Sequence, residues 1–192
     1  MADLSQSINT IRLLHQSLQL VVKEGAFCID ATAGKGNDTL FLAKLAGDSG
    51  RVLAMDIQPA ALEKTEELLN KNQMTHRVQL ILDGHENISQ YAKPESVDCI
   101  VFNLGYLPGG DHTIATKAET TLQALKQSLN LLKPLGMISL AVYHGGDTGF
   151  VEKDAVLAWL KNLDSKKYTV IVTEFYNRPN HPPLAVQIIK ER

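Results

Sequence analysis

Residues 28–39 read Cys28–Ile29–Asp30–Ala31–Thr32–Ala33–Gly34–Lys35–Gly36–Asn37–Asp38–Thr39. The apolar residues 26–29 predict a short buried strand that ends at Asp30. Gly34 and Gly36 follow, and glycines permit a tight turn and the close approach of a ligand to the backbone. Asn37 or Asp38 is then expected to cap a helix through residues 40–45. Strand, glycine turn and helix in this order predict an α/β protein with a doubly wound sheet whose backbone N–H groups face a nucleotide-like ligand.

The glycine loop is compatible with more than one ligand. The dinucleotide-binding pattern is matched only in part, because Thr39 stands where a third Gly or Ala is expected. The phosphate-binding pattern G-x-x-x-x-G-K-[ST] is absent, because Lys35 lies between the glycines. Asp30 at the strand end disfavours a pyrophosphate and suits a cation such as S-adenosylmethionine, which carries an ammonium and a sulfonium group. The alternative is an ordinary glycine-rich turn.

Composition narrows the class of protein. A chain of 192 residues with 44% hydrophobic content is expected to form one domain over residues 1–192. A net charge of −2 means that any RNA contact depends on a local basic patch. Cys28 and Cys99 lie in apolar runs, as buried thiols of a reducing compartment do, and no Cys/His spacing suggests a metal site. The absence of a signal pattern and of a long apolar run predicts a cytoplasmic protein without membrane contact.

The remaining pattern predicts alternating strands and helices. An amphipathic helix is expected at about residues 4–23, ended by Gly25, with His15 as a surface or packing residue. The other expected helices and strands follow in chain order: strand 51–56, helix 59–72, strand 78–82, strand 96–102, helix 117–132, strand 135–143, a helix through 156–163, and extended runs 168–176 and 184–189. The last two runs are joined by a loop too short for a parallel return, so they must be antiparallel. This predicts a parallel sheet closed by an antiparallel hairpin.

Polar residues follow the second and third strands. Asp56 lies about twenty residues beyond the glycines, the offset at which an acid meets a ribose diol, although it could instead cap the next helix. Asp83, Gly84 and His85 would lie at the adenine edge of such a site, with an ordinary exposed histidine as the alternative for His85.

Asn103 and Tyr106 follow the fourth strand and have a chemical interpretation. A carboxamide oxygen and a nearby backbone carbonyl can accept both hydrogens of an amine and direct its lone pair at an electrophile. A tyrosine ring can stack on the base that carries this amine. The alternative is a turn-forming Asn103 beside a packed Tyr106.

Four stretches together resemble one known family. They are Asp30 to Thr39, Asp56–Ile57–Gln58, Asn103–Leu104–Gly105–Tyr106–Leu107–Pro108–Gly109–Gly110 and Asn180–His181–Pro182–Pro183. This combination is similar to the YtqB/MnmM family of class I S-adenosylmethionine-dependent methyltransferases, and the resemblance covers essentially the whole chain. Members commonly have Asn where Lys35 stands and His where Asn37 stands. The quartet beginning at Asn103 also lacks both prolines of the Asn-Pro-Pro-Tyr motif of amino-group methyltransferases.

The resemblance implies a fold, a reaction and an assembly. The fold is a Rossmann-like sheet of seven strands with the last antiparallel and helices on both faces. The reaction converts 5-aminomethyl-2-thiouridine at the wobble position of tRNA into 5-methylaminomethyl-2-thiouridine by direct attack of a neutral amine on the methyl group. The partners are the anticodon region of tRNA and a second copy of the chain in a homodimer.

The same comparison and the strand-end positions give a set of expected site residues. Expected to contact S-adenosylmethionine are Asp30, Thr32, Ala33, Gly34, Lys35, Gly36, Asn37, Asp38, Thr39, Asp56, Ile57, Gln58, Asp83, Gly84, His85 and Asn103. Expected to contact the substrate are Tyr106, Tyr143, His144, Arg178, Asn180 and His181. Asn103 and Tyr106 are expected to act in catalysis.

The same residues also permit other functions. Within enzymes the alternatives are methylation of rRNA or of a small amine, and, less in keeping with Asp30, hydride transfer by a dehydrogenase. Outside enzymes, the chain could be a cofactor-binding module that contacts RNA without catalysis. His144 and Asp111 are candidate proton acceptors, but a desolvated site that disfavours the ammonium form would serve as well.

Overall fold

The seven strands form one sheet in the order β3-β2-β1-β4-β5-β7-β6. The structure is a computed structural model that describes residues 7–105, 115–143 and 149–192. Its strands are β1 Phe27–Asp30, β2 Arg51–Asp56, β3 Val78–Leu82, β4 Val97–Leu104, β5 Leu132–Val142, β6 Tyr168–Thr173 and β7 Leu184–Lys190. Its helices are α1 Thr10–Val21, α2 Asn37–Ala46, α3 Pro59–Lys71, α4 Ala118–Leu131 and α5 Gly149–Lys161, with short 3₁₀ turns at Thr75–Arg77 and His85–Gln90.

The strand directions confirm the expected architecture. Strands β1 to β5 pair in parallel, whereas β7 lies antiparallel between β5 and β6. The strand order reverses between β1 and β4, since β2 and β3 extend the sheet to one side and β5 to the other. Ligands of doubly wound sheets bind at the carboxyl ends of the strands at such a reversal.

Alternate residues of each central strand face opposite helical layers. On one face, Ile29 and Phe102 pack with α4 and α5. On the other face, Cys28, Cys99 and Val101 pack with residues of α1 and α2. Helices therefore cover both faces, which explains why the parallel strands are apolar nearly throughout.

The two cysteines are buried neighbours within the sheet. Cys28 of β1 pairs in register with Cys99 of β4, and both are free thiols. Burial raises the pKa of Cys28 to about 12 and that of Cys99 well above its ordinary value. Both sulfurs are therefore neutral packing groups of the core.

Several predicted boundaries are wrong by a few residues. Helix α1 begins at Thr10, because the Asn9 side chain accepts a 2.9 Å hydrogen bond from the Arg12 N–H and caps it there. It ends at Val21, before Gly25. Strand β4 continues to Leu104, so its last residues belong to the sheet, whereas β6 ends earlier, at Thr173.

The predicted cap of α2 is also wrong. Neither Asn37 nor Asp38 caps this helix, because the N-cap is Gly36, whose φ of 78° lies in the left-handed region that favours glycine. The Asp38 side chain is instead used in tertiary contacts. The proline prediction for α3 is confirmed, since Pro59 occupies its first turn. Within residues 7–105, 115–143 and 149–192, none of the helices has both the length and the apolar character needed to cross a membrane.

Candidate active site

A cavity of about 920 Å³ lies at the carboxyl ends of the central strands. Its wall combines the glycine loop after β1, the ends of β2 and β4, the turn after β3 and part of the loop between β6 and β7. The volume is typical of sites that bury a drug-sized molecule. The cavity therefore lies where the sheet order predicts a ligand.

The glycine loop is fixed in a conformation that needs glycine. Gly34 and Gly36 have φ values of 56° and 78°, and the Gly36 N–H donates to the Ala33 carbonyl at 2.8 Å. A Cβ at Gly36 would lie 2.9 Å from Thr65 Cα of α3. The loop can therefore pack this closely on α3 only without a side chain at Gly36.

Asp56 joins the glycine loop to the start of α3. Its Oδ2 accepts from the Gly34 N–H and its Oδ1 from the Gln58 N–H, both at 2.9 Å. A carboxylate has about four lone-pair positions, so these two bonds leave acceptor capacity on a residue that lines the cavity. The geometry is compatible with a ribose diol at Asp56 and adds a structural role for the same side chain.

Beneath the glycine loop lies an acidic cluster. Asp30 is fully buried and accepts from the Thr39 hydroxyl at 2.6 Å and the Thr32 N–H at 3.2 Å. Burial, and then the nearby charge of Asp38, raise the pKa of the Asp30 carboxyl. Asp56 acts in the same direction. Such a cluster favours a cationic ligand, which would relieve the repulsion between the carboxylates.

Asn103 is held at both its backbone and its side chain. Its N–H donates to Thr32 Oγ1 at 2.7 Å, and its side-chain Nδ2 donates to Asp38 Oδ2 at 2.6 Å. Because an ionised carboxylate only accepts, the Nδ2 of the amide must face Asp38. Within the described ranges, no hydrogen bond to Asn103 Oδ1 is present. The oxygen on the other side of the carboxamide is thus available to a ligand.

His15 belongs to this network, which the sequence does not indicate. Its Nε2 lies 2.5 Å from Asp38 Oδ1, and its ring stacks on Phe41 with centroids 3.7 Å apart and planes 5° apart. The expectation of a packing residue is met by the stack on Phe41. The polar contact could not be inferred, because no spacing rule connects a helix before β1 to Asp38.

The turn after β3 contains an ordered carboxylate and a buried histidine. Asp83 accepts from the Tyr91 hydroxyl at 2.7 Å and from Asn87 at 2.8 Å, which hold the pKa of Asp83 below its ordinary value. His85 is 8% exposed, so the alternative of an ordinary exposed histidine is wrong. Its ring meets Phe102 edge-on at 5.9 Å, and burial lowers its pKa. Within the described part of the chain, His85 Nε2 has no hydrogen-bond partner, so it can form a hydrogen bond with a ligand in the cavity.

The residues expected on the substrate side are only partly brought together. Tyr143, Asn180 and His181 line the cavity. Partial burial, and then the charge of Asp38, raise the pKa of Tyr143, which is 42% exposed. Arg178 does not line the cavity, and its guanidinium lies 3.9 Å over the Phe175 ring. Tyr106, His144 and Asp111 lie outside the described residues.

The predicted cofactor residues fall into two groups, those that line the cavity and those that do not. Those that line the cavity are Thr32, Ala33, Gly34, Lys35, Asn37, Asp38, Asp56, Ile57, Gln58, Asp83, His85 and Asn103. Those outside its lining are Asp30, Gly36, Thr39 and Gly84. Two of them, Asp30 and Thr39, bond to each other beneath the loop. Among the described residues, no group of three or more His, Cys, Asp or Glu is arranged to hold a metal ion.

Sequence reasoning missed a second buried acid at the cavity. Glu152 is 3% exposed and accepts from the hydroxyls of Thr116 at 2.7 Å and Thr121 at 2.6 Å. Thr116 Oγ1 in turn accepts from the Gly105 N–H at 2.8 Å. Glu152 thereby supports the backbone just after Asn103. Only its place in the first turn of α5 could have drawn attention to it.

Comparisons with known proteins show which family the chain resembles. The family model described as "Putative rRNA methylase" matches residues 52–189. The tRNA (mnm(5)s(2)U34)-methyltransferase of Arabidopsis thaliana chloroplasts is 38% identical over 187 residues, which cover 92% of this chain and 68% of that protein.

Two solved structures are similar along nearly the whole chain. A putative rRNA-methylase from Clostridium thermocellum is 46% identical with a TM-score of 0.93, and the match covers 96% of this chain and 99% of that one. A putative methyltransferase from Streptococcus mutans, in complex with SAH, is 41% identical with a TM-score of 0.87 and the same coverage. Both similarities agree with the fold described above.

Proposed function

We infer the substrate from the following premise: this chain belongs to the putative rRNA methylase family and is an S-adenosylmethionine-dependent methyltransferase. We propose that its substrate is an amine of tRNA. The specific reaction proposed is methylation of the aminomethyl group of the wobble uridine, from 5-aminomethyl-2-thiouridine to 5-methylaminomethyl-2-thiouridine. The observation that carries this proposal is the orientation of Asn103, whose amide nitrogen faces Asp38 and whose oxygen remains available.

The acidic cavity fits the cofactor of this class of enzyme. When bound, S-adenosylmethionine supplies a methyl group on a sulfonium sulfur, which keeps the C–S electron pair as the new N–C bond forms. Asp56 would accept from the ribose diol, and His85 would offer its unpartnered Nε2 at the adenine edge. Asp38, with the partly protonated Asp30 beneath it, would supply negative charge toward the ammonium and sulfonium groups.

Asn103 would hold the attacking amine. Its Oδ1 can accept one N–H of the amine, and the Leu104 carbonyl accepts from the Tyr143 N–H at 3.3 Å while retaining a second lone pair. Two acceptors on one side of a nitrogen direct its lone pair to the other side. Most of the acceleration would then come from fixed geometry.

The amine must also lose a proton before it attacks. A primary amine resembling lysine titrates near pH 10.4 in water, so an ammonium must be deprotonated at neutral pH and one proton released per turnover. The positive charges of bound S-adenosylmethionine would offset the acidic cluster, so that desolvation at the cavity wall and neutral acceptors at Asn103 favour the uncharged amine over the ammonium. The tyrosine at position 143 would stack on the uridine that carries the amine.

A tRNA substrate is supported by the relative from Arabidopsis, which is named as a tRNA methyltransferase for this nucleoside. The loop between β6 and β7 adds Arg178, Asn180 and His181 at the same end of the sheet, where they could contact the anticodon region. A homodimer is the proposed assembly, for which edge strand β6 exposes Ile171 on one face and Val172 on the other. Buried free thiols favour a reducing compartment such as the cytoplasm.

The proposal is tested by offering the purified protein two RNA pools. Total tRNA and total rRNA from cells that lack the protein are incubated with S-adenosylmethionine carrying a labelled methyl group, and digested nucleosides are separated by mass. We expect label only in tRNA, as 5-methylaminomethyl-2-thiouridine. Label in rRNA alone would instead support the alternative that the family description suggests.

A further inference from the structure

A hydrogen-bonded chain connects the first helix of the protein to Asn103. His15 on α1 contacts Asp38 Oδ1 at 2.5 Å, and Asp38 Oδ2 accepts from Asn103 Nδ2 at 2.6 Å. The helix that carries His15 precedes β1, so it lies outside the strand–loop–helix unit that forms the glycine loop. The network thus joins three separate elements, α1, α2 and β4.

We propose that His15 is a positioning residue for methyl transfer, which acts through Asp38 to keep the oxygen of the Asn103 carboxamide turned toward the substrate amine. This inference rests on the proposed function, because it takes the amine to be what Asn103 holds. His15 itself contacts neither substrate nor cofactor in this account.

The need for such a residue follows from the near symmetry of a carboxamide. Its oxygen and nitrogen sides have almost the same shape, so packing alone discriminates poorly between the two orientations. A carboxylate discriminates strongly, because the reversed orientation would place Asn103 Oδ1 against Asp38 Oδ2, two acceptors at hydrogen-bond distance. The reversed amide would also present N–H donors to an amine that needs acceptors.

Asp38 can enforce this orientation only if its own carboxylate is fixed. The residue is 8% exposed and lies in the first turn of α2, where the helix dipole favours a negative charge. One oxygen is used by Asn103, so the other oxygen needs a partner of its own to stop rotation about the side chain. His15 supplies this partner, and the stack on Phe41 fixes the plane of its ring.

Helix α1 is itself anchored beside the site. Leu14 and Leu18, on either side of His15 along the helix, are 3% and 0% exposed. The Thr10 hydroxyl donates to the Pro183 carbonyl at 2.8 Å, and Gln187 Nε2 of β7 donates to Ser17 Oγ at 2.5 Å. The position of the imidazole is therefore set by contacts on the sheet and on the loop before β7.

The competing explanation is that the contacts of His15 only stabilise the packing of α1 against α2. A purely structural tie would affect folding stability and every ligand equally. A positioning residue would instead lower the turnover number while leaving the affinities for cofactor and tRNA largely unchanged. The conservative replacement by glutamine, which can still donate to Asp38, distinguishes the two explanations further.

The experiment compares His15→Phe, which keeps an aromatic ring to stack on Phe41, with His15→Gln, which keeps a donor. His76→Phe is the matched control, since His76 is an exposed histidine whose contacts are with Arg77 and Asp48. We measure kcat and KM with tRNA that carries the aminomethyl nucleoside, and Kd for S-adenosylhomocysteine by calorimetry. His15→Phe is expected to lower kcat about tenfold or more. KM and Kd should change by less than about threefold, and His15→Gln should restore most of kcat.

A second measurement follows Asn103 directly and does not depend on turnover. The side-chain amide of Asn103, assigned in ¹⁵N spectra by its loss in Asn103→Ala, should shift in His15→Phe and return toward its wild-type position in His15→Gln. An unchanged amide signal together with unchanged kcat in His15→Phe would overturn the proposal. So would a fall in kcat with equal loss of cofactor affinity and no rescue by glutamine. If the wild-type protein does not methylate the tRNA, the proposed function fails, whereas the amide shift still decides whether His15 orients Asn103.

Discussion

The side-chain amide of Asn103 donates a 2.6 Å hydrogen bond to Asp38, although the two residues are 65 positions apart in the chain. This contact joins the end of β4 to the first turn of α2 across the reversal of the sheet order. It also determines which side of the carboxamide is available to a ligand.

Asp30→Asn should make folding stability less dependent on pH. Burial and the charge of Asp38 raise the pKa of Asp30 to about 7, above the value of about 3.9 in an unfolded chain. The folded protein therefore binds the Asp30 proton more tightly than the unfolded chain does. Proton binding at Asp30 thus contributes folding stability that is fully present below about pH 4 and is lost as pH rises to about 7.

Asparagine removes this titration while its Oδ1 can still accept from the Thr32 N–H. We measure the free energy of unfolding in urea at pH 5 and at pH 8. Between these two pH values it should fall in the wild-type protein by at least on the order of 1 kcal/mol more than in Asp30→Asn. Glu66→Gln, at an exposed position on α3, is the control for removing one carboxylate. Equal losses in Asp30→Asn and wild type would mean that Asp30 does not retain its proton near neutral pH.

Asp56→Ala should weaken binding of S-adenosylhomocysteine. The variant loses the carboxylate expected to accept from the ribose diol and also releases the Gly34 N–H. Loss of charge-assisted hydrogen bonds predicts a cost of about 1–3 kcal/mol in calorimetry. The control is Asp48→Ala, which removes an exposed acid whose ion pair is with Arg77, outside the cavity lining. An affinity equal to that of wild type would assign Asp56 to the turn alone.

Arg178→Ala should weaken tRNA binding and reduce its dependence on salt. The Arg178 guanidinium lies over Phe175 on an exposed loop, where it can reach a phosphate. Loss of one phosphate contact lowers the slope of log K against log salt by about 0.7–0.9.

The chain offers a close control for this variant. Arg51 also lies over a phenylalanine ring, that of Phe27, at 3.7 Å, but at the amino end of β2. Arg51→Ala should leave both affinity and salt slope unchanged in the same titrations. If Arg178→Ala behaves like Arg51→Ala, the RNA binds to another surface.

The fold could be predicted because it depends on local patterns. Apolar runs that end in Asp30 and Asp56, and the short connection before β7, determine strand position and direction without any knowledge of side-chain contacts. The placement of Asn103 in the cavity wall follows in the same way, since a residue at the carboxyl end of a central strand must lie near the sheet reversal.

The contacts of the site could not be predicted, because they join residues that are distant in sequence. The sequence suggests Asp38 as a helix cap, a local role, yet both of its oxygens are used by His15 and Asn103. Burial of Glu152 likewise depends on hydroxyls contributed by Thr116 and Thr121. Periodicity reports which face of an element is buried, and it carries no information about which polar groups meet there.

The most direct test of the account is a single-turnover measurement of methyl transfer to tRNA that carries 5-aminomethyl-2-thiouridine, for the wild-type protein and for Asn103→Ala. We expect the wild-type protein to form 5-methylaminomethyl-2-thiouridine. Asn103→Ala should form it about a hundredfold more slowly, since a misplaced nucleophile costs roughly that factor. Its affinity for S-adenosylhomocysteine should be nearly unchanged. Transfer by Asn103→Ala at the wild-type rate, or no methylated wobble nucleoside with the wild-type protein, would contradict the account.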